Sequence, residues 1–308
     1  MKPTDKFDIY ELEHTAQVIC EVTIDIGING APITIGAVPD LHLNLSDISD
    51  ADDDEVSYTE TCRIWCRGGA SLPNAIPALE AASFCDQVVI LGDTLDYLSH
   101  GTIELVKNHI FNRMPDAICV LGGHDITKQM QTGKPNHLSL EERLNILRQV
   151  WVHDLQYCSK VVGNKVICIG LDNGQGKYFP EQIVKLKADI EKARKENLAI
   201  LIFQHENIST KNENDTNVSA IHQHNYKPFC NFYDAERLIG RPNDDNPETL
   251  AFYTLLSENH DIIKGVFCGH QHNIFYTEIL AGDGVIPQYT LTANPYFKNG
   301  TICKIVIK

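Results

Sequence analysis

The segment QVVILGDTLD, residues 87–96, joins a short apolar run to a polar turn. The run QVVIL at 87–91 is typical of a β-strand that is buried on both faces of a sheet. Gly92 and Asp93 follow it directly. In open α/β sheets, ligands bind beyond the carboxyl ends of the strands. The segment therefore predicts an α/β fold with a polar site where this strand ends.

Strands and helices alternate on both sides of this segment. Residues 17–28 and 33–38 are rich in β-branched side chains, and Asn29-Gly30 between them predicts a hairpin turn. Further elements are predicted as strands at 117–121, 165–170, 198–203 and 263–268, helices at 73–84, 102–112, 139–152, 180–197 and 247–259, and terminal strands within 285–307. This order predicts an α/β domain whose helices cover the faces of its sheets.

The predicted strand ends carry an unusual concentration of His and Asp. Each motif alone is weak, since a polar residue after a strand often does no more than make a turn. Five successive strand ends share the feature, and chance does not place polar groups at equivalent positions so regularly. Together they predict a metal site. The five motifs are Asp40-x-His42, Gly92-Asp93-x-x-Asp96, Gly122-Gly123-His124-Asp125, His205, and Gly269-His270-x-His272.

These motifs resemble those of the calcineurin-like metallophosphoesterase family, which run Asp-x-His, Gly-Asp-x-x-Asp, Gly-Asn-His-Asp/Glu, His and Gly-His-x-His in that order. The resemblance covers about residues 33–275, and four of the five motifs fit without change. It implies a metallo-dependent phosphatase-like fold, a four-layer α-β-β-α sandwich of two mixed sheets flanked by helices. With no internal repeat or low-complexity linker, we expect a single domain over residues 1–308.

The resemblance also implies a role for each site residue. It implies two metal ions, with Asp93 bridging both and His124 acting as the general acid, oriented by Asp125. The remaining ligands would be Asp40, His42 and His272 at the first metal, and His205 and His270 at the second. Asp96 is expected to support the site rather than to bind metal. Imidazole and carboxylate ligands suit Mn²⁺, Fe or Zn²⁺, and the sequence leaves the choice among them open.

Gly123 departs from the family motif, which has an Asn whose amide oxygen binds the second metal. Glycine has no side-chain ligand, so the second metal is expected to bind more weakly unless another group fills the gap. A water or a residue from the irregular stretch 206–246 could do so. His222 and His224 lie in that stretch, although exposed loop histidines are the plainer interpretation.

Phosphoester hydrolysis is the chemistry that fits these residues. Divalent metals neutralise the oxygens of a phosphate ester and lower the pKa of a bound water, so that hydroxide is available near neutrality. We therefore expect attack by metal-bound hydroxide on a phosphomonoester or phosphodiester, with His124 donating a proton to the leaving oxygen. A degenerate member that binds a nucleotide or phosphorylated ligand without turnover stays open as an alternative because of Gly123.

The charge of the chain bears on its partners. Lys and Arg total 26 against 41 Asp and Glu, a formal net charge of −15 at pH 7. Such a surface repels nucleic acid and anionic membranes, so a small phosphorylated substrate is expected and a nuclease is less favoured. No apolar run reaches the roughly 18 residues that span a bilayer. Ten cysteines, several in apolar runs, and no signal-like segment favour a reduced, cytoplasmic protein.

Overall fold

Two six-stranded sheets form the centre of the computed structural model, which describes residues 6–27, 30–50, 71–126, 138–174, 177–208 and 247–308. The first sheet has the order β1-β2-β12-β3-β4-β5 and the second has the order β10-β11-β9-β8-β7-β6. Their bounds are β1 Asp8–Glu11, β2 Val18–Ile24, β3 Ile33–Val38, β4 Gln87–Leu91, β5 Ile118–Val120, β6 Tyr157–Val162, β7 Val166–Leu171, β8 Ala199–Gln204, β9 Ile263–Cys268, β10 Phe275–Ala281, β11 Gly284–Thr290 and β12 Thr301–Ile307.

The helices lie on the outer faces of the sheets, and among the described residues none is both long and apolar enough to cross a membrane. Helix α2 continues into a π-helical turn at Lys107–Phe111. Ser139 and Glu142 form the capping box that opens α4. The bounds are α1 Leu72–Ser83, α2 His100–Val106, α3 Gly123–Ile126, α4 Leu140–Arg148, α5 Pro180–Glu196 and α6 Pro247–Glu258, with 3₁₀ turns at Ile48–Asp50 and Asn294–Tyr296.

The core consists of three clusters of buried apolar side chains, one between each pair of neighbouring layers. Side chains of a central strand alternate between two of these clusters. Val89 and Leu91 of β4 face the other sheet, whereas Ile90 packs toward the helices. In β8, Leu201 and Ile202 divide in the same way between the inner and outer clusters. Side chains of a strand point alternately to its two faces, which explains why these runs are apolar throughout. The predicted four-layer α-β-β-α sandwich is confirmed.

The hairpin predicted around Asn29-Gly30 is wrong. Strands β2 and β3 are not neighbours, because β12 lies between them, parallel to β2 and antiparallel to β3. The connection from Ile24 to Ile33 is long enough to cross the roughly 10 Å that two inter-strand spacings require. Strands β1, β6 and β10 were not predicted, and they lie at edges of the two sheets.

Asp172, directly after β7, is a buried carboxyl group whose titration is linked to folding. Its Oδ1 accepts a hydrogen bond from the backbone N–H of Gly174 at 3.0 Å. Burial raises the pKa of Asp172 from 3.8 to about 7. The folded chain thus holds this proton more tightly than the unfolded chain does. Its contribution to stability is fully present below the unfolded pKa, decreases as pH rises toward 7 and is constant above that.

We expect Asp172→Asn to remove this pH dependence. At pH 8 the substitution should raise the free energy of unfolding by roughly 2 to 4 kcal/mol, because it replaces a buried charge by a neutral group of the same shape. Near the unfolded pKa of 3.8 the gain should largely vanish. Urea unfolding at both pH values measures the difference. The control is Asp116→Asn, whose carboxylate is 96% exposed. A gain of equal size at both pH values would contradict the assignment.

Candidate metal centre

The His and Asp residues predicted from the strand ends meet at one edge of the two sheets. Ligand atoms of Asp40, His42, Asp93 and His272 lie within 4.8 Å of one another, and so do those of Asp93, His205 and His270. Asp93 belongs to both groups. Asp40, His42, Asp93 and His205 are buried, whereas His270 and His272 are more accessible to solvent. The six candidate ligands therefore form two adjoining groups that share one carboxylate.

The first group brings nitrogen and oxygen atoms together from both sheets. The Nε2 atoms of His42 and His272 are 3.1 Å apart. Asp93 Oδ2 is 3.7 Å from His42 Nε2, and Asp40 Oδ1 is 3.7 Å from His272 Nε2. These four side chains converge on one small volume that a cation could occupy.

The second group is built around Asp93 and His205. Asp93 Oδ2 is 3.2 Å from His205 Nε2, which is in turn 3.2 Å from His270 Nδ1. The same oxygen of Asp93 thus faces an imidazole of each group, as a bridging ligand requires. Three side chains supply this second group, one fewer than the first.

Hydrogen bonds on the far side of two imidazoles orient their lone pairs toward the site. His42 Nδ1 lies 2.9 Å from Asp96 Oδ1, and His205 Nδ1 lies 2.8 Å from the carbonyl oxygen of Leu91. A carboxylate or carbonyl oxygen accepts only, so each Nδ1 carries a hydrogen, and each Nε2 presents a lone pair when the ring is neutral, as a metal ligand must be. With the imidazoles neutral, nitrogen lone pairs and carboxylate oxygens converge on the same volume, so this ligand set fits divalent cations.

The electrostatics of the pocket also favour positive charge. Burial by itself raises the pKa of Asp93, but the imidazoles of His205, His124 and His42 hold it well below its ordinary value. Burial lowers the pKa of His205, yet Asp93 and Asp40 raise it to about 10. The pocket thus stabilises a cation against the cost of desolvation, as a metal site must.

Five of the six candidate ligands have left-handed backbone conformations. The φ angles are +41° for Asp40, +46° for His42, +44° for Asp93, +67° for His270 and +50° for His272. A side chain in this region costs about 1–3 kcal/mol and persists only where surrounding contacts hold it. Here main-chain hydrogen bonds interlock the loops, such as His42 N–H to the carbonyl of Asp93 at 2.8 Å. Strain concentrated in this way is typical of functional sites.

Two glycines of the predicted motifs allow the close approach of these loops. A Cβ atom on Gly122 would lie 2.3 Å from the backbone nitrogen and Oδ1 of Asp93. One on Gly269 would lie 2.3 Å from Asp40 Oδ2. Both positions therefore have room only for glycine, because any other residue would displace a candidate ligand.

Residues 33–273 match the calcineurin-like phosphoesterase family. The chain belongs to this family. The match spans most of the chain and includes every candidate ligand. The family resemblance predicted from the motifs is confirmed. Comparison with curated proteins found no match.

Several solved structures resemble this family member at low sequence identity. A putative 5′-nucleotidase from Staphylococcus aureus is 15% identical with a TM-score of 0.43, and the alignment covers 90% of this chain but only 51% of that one. A dimetal phosphatase from Danio rerio is 13% identical with a TM-score of 0.44 and coverages of 86% and 90%. A purple acid phosphatase from yellow lupin is 11% identical with a TM-score of 0.44 and coverages of 90% and 44%. None of these similarities bears on the substrate of this chain.

The expected contact between Asp125 and His124 is not what the structure shows. The Asp125 carboxylate accepts hydrogen bonds from the backbone N–H groups of Leu95 and Gly122, both at 2.8 Å. His124 Nδ1 instead lies 2.8 Å from the carbonyl oxygen of Asp96. Asp125 points toward the Gly92–Asp96 loop because its backbone amides offer donors there. Asp125 therefore holds loop geometry, while Asp96 orients the imidazole.

Asp96 connects the candidate acid to the first metal group. Its carboxylate contacts His42 Nδ1, and its carbonyl oxygen accepts from His124 Nδ1. The carboxylate also lies 3.6 Å from His124 Nδ1. The supporting role expected for Asp96 thus extends to two imidazoles.

Gly123 leaves open space where a side chain would begin. A Cβ atom at this position would meet only the carbonyl oxygen of Gly174, at 3.9 Å. Among the described residues, no fourth His, Cys, Asp or Glu joins Asp93, His205 and His270. His222 and His224, considered as replacements, lie outside the described residues.

Three residues that hold or border the site were not assigned from the sequence. Asn173 Oδ1 accepts from the backbone N–H groups of His205 and Glu206, at 3.1 and 2.9 Å. Asn294 donates from Nδ2 to the carbonyl of Pro39 at 2.9 Å, beside Asp40. The hydroxyl of Tyr296 lies 3.3 Å from His272 Nδ1. Asn294 and Tyr296 could have been found from the sequence by the same reasoning as the ligands. They follow β11, which is parallel to β9 and ends at the same edge of the sheet.

Proposed function

We propose that this chain hydrolyses a phosphomonoester or phosphodiester of a small molecule, using two divalent metal ions. The observation that carries the proposal is the pair of buried ligand groups that share Asp93. Asp40, His42 and His272 would complete the first metal site, and His205 and His270 the second. One domain spanning residues 1–308 would carry this site, because its ligands come from both sheets.

When bound, the metal ions would neutralise the phosphate oxygens and supply a hydroxide nucleophile near neutral pH. The protein supplies the proton. His124 is 23% exposed, and its Nδ1 is held by the carbonyl of Asp96, so Nε2 is the atom left to serve a substrate. In its protonated form it would donate from Nε2 to the leaving oxygen. Asp96 would keep the ring aligned during this transfer.

The charge of the chain supports a small substrate. Its net charge of −15 disfavours long polyanions such as nucleic acids. Mn²⁺, Fe and Zn²⁺ all suit the mixed imidazole and carboxylate ligands. All seven described cysteines are free thiols, which supports a reduced compartment such as the cytoplasm.

Metal stoichiometry combined with hydrolysis tests the proposal. Chain purified without chelator and titrated with Mn²⁺ should contain two ions by elemental mass spectrometry. It should hydrolyse p-nitrophenyl phosphate or bis(p-nitrophenyl) phosphate, and a chelator should abolish this activity. Metal-loaded chain that turns over neither ester, nor a panel of small phosphate esters, would contradict the proposal.

A second candidate function is binding of a nucleotide or other phosphorylated ligand without turnover. Gly123 favours it, because the second ligand group lacks the family's Asn and would hold its metal weakly. Tight binding of a phosphorylated ligand by metal-loaded chain that hydrolyses none of the esters above would favour this candidate over hydrolysis.

We expect Gly123→Asn to tighten binding of the second metal and to raise the rate. The structure has room for the new Cβ, and the amide oxygen would add a fourth ligand to the second group. Isothermal titration calorimetry of the metal-free chain with Mn²⁺ measures this change. The dissociation constant of the weaker metal site should fall about tenfold or more. Gly123→Ala is the matched control, since it adds the Cβ without a ligand. Equal behaviour of all three chains would mean that another group already fills the gap.

A further inference from the structure

A cavity of about 420 Å³ opens on the outer face of the first sheet, beside helix α1. Its wall is formed by strands β1, β2, β3 and β12 and by α1. The volume lies within the roughly 300–1,000 Å³ of small-molecule sites. None of the six candidate metal ligands lines it. It is therefore a second concave site, separate from the metal centre.

The wall of this cavity is mainly apolar. Phe84 is 90% exposed at its rim, a degree of exposure that is unusual for an aromatic side chain. Large exposed apolar groups beside a concave surface mark binding sites. The apolar lining residues are Leu12, Ile19, Pro77, Ala81, Phe84 and Ile302.

Gln17 provides a polar feature within this apolar wall. The residue is only 2% exposed, and its Nε2 makes no hydrogen bond within the described part of the chain. A buried amide without an acceptor keeps an uncompensated desolvation penalty, and such groups are rare in folded proteins. This nitrogen is itself closed to solvent, so the amide would turn into the cavity that Gln17 lines to meet an acceptor oxygen of a ligand, and that hydrogen bond would remove the penalty.

The charges at the cavity favour a neutral ligand. Lys304 and Glu80 are the charged residues among those that line it. The ammonium of Lys304 is paired with Glu21 Oε2 at 3.2 Å, and the same oxygen accepts from the Tyr10 hydroxyl at 3.0 Å. Because the Lys304 ammonium is already paired and the Glu80 carboxylate lies at the wall, the cavity has no unpaired positive charge among its described lining residues to bind an anion.

We propose that this cavity binds a small neutral molecule with an apolar body and one carbonyl oxygen, which accepts a hydrogen bond from Gln17 Nε2. The apolar wall would take up the body of the ligand, and Gln17 would fix its orientation. This site is independent of the proposed phosphoesterase activity.

The neutral fluorescent ketone Prodan, whose emission shifts to the blue in apolar surroundings, serves as the probe. We expect saturable, blue-shifted binding to the full-length, metal-loaded chain. Gln17→Leu, which keeps the volume but removes the donor, should weaken binding about three- to tenfold. Ala81→Trp, which fills the cavity, should abolish it. Hydrolysis of p-nitrophenyl phosphate should be the same in both variants as in the unmodified chain.

Cys85 provides a site-specific readout that needs no substitution. Its half-buried thiol lines the cavity, whereas Cys158, also half-buried, lies in the second sheet. Prodan should slow alkylation of Cys85 by N-ethylmaleimide several-fold and leave Cys158 unchanged, as measured by peptide mass spectrometry. Absence of saturable binding, or an unchanged Cys85 rate at saturating probe, would overturn the proposal. So would a dimer in sedimentation whose Cys85 is already protected without probe, because a second copy would then occupy the cavity.

Discussion

Asp93→Asn is expected to lower kcat/KM by about 10³-fold or more, the largest single effect at this site. Asp93 is the carboxylate shared by both ligand groups, and its Oδ2 faces His42 and His205. Asparagine keeps the shape but removes the charge and turns one oxygen into an N–H₂ donor. That donor would face imidazole lone pairs, so both metal sites should be weakened together.

Elemental mass spectrometry and hydrolysis of p-nitrophenyl phosphate check this result on the same preparation. The variant should retain fewer than one tightly bound metal per chain. Asp283→Asn is the matched control, because this carboxylate is 96% exposed and should affect neither quantity. Two tightly held metals in Asp93→Asn would contradict the bridging role of Asp93.

His124→Ala is expected to lower kcat by about 10²–10⁴-fold while both metals stay bound. His124 lies in neither of the two groups that share Asp93; together with His42 and Asp96 it forms a separate set of possible ligands. Its Nδ1 is held by the carbonyl of Asp96, so removal of the imidazole should not empty the two groups that share Asp93. The loss should depend on the leaving group. It should be larger for phenyl phosphate than for p-nitrophenyl phosphate, because a more basic leaving oxygen needs the proton more.

Rates with the two esters, together with metal content, separate acid catalysis from structural damage. A damaged site would lose the same factor on both esters. The control is His100→Ala, whose imidazole is 61% exposed beside Asp47 and should leave both rates unchanged. Loss of metal from His124→Ala would mean that this residue belongs to the ligand set.

The sequence was sufficient to predict which candidate ligands the fold brings together. Strands such as 87–91 are apolar on both faces, which identifies them as central strands of layered sheets. Central parallel strands end at one edge, so polar residues just beyond them have to meet there. Asp40, Asp93, His205 and His270 are far apart along the chain, yet each follows a strand of this kind. The convergence follows from local patterns alone.

The contacts between these loops depended on the tertiary structure. Asp125 is adjacent to His124 in the chain, but its carboxylate meets amides of the Gly92–Asp96 loop, and Asp96 orients the imidazole instead. Left-handed conformations at residues such as Asp40 and Asp93 could not be predicted from residue type, because Asp adopts this region more often than most residues but does not require it. Long-range hydrogen bonds impose them, and a local pattern carries no information about such bonds.

Strand order was likewise decided by long-range pairing. Asn29-Gly30 is a good local turn, but β12 pairs with both β2 and β3, and two ladders outweigh one hairpin. The cavity beside α1 arises from the same insertion, since β12 contributes Ile302 and Lys304 to its wall. Periodicity and strand-end chemistry act over a few residues, so the sequence alone was enough to predict the central elements, the layers and the candidate ligands, although not the edge strands β1, β6 and β10. Which strands pair and which side chains meet depends on segments hundreds of residues apart, and only the folded chain brings them together.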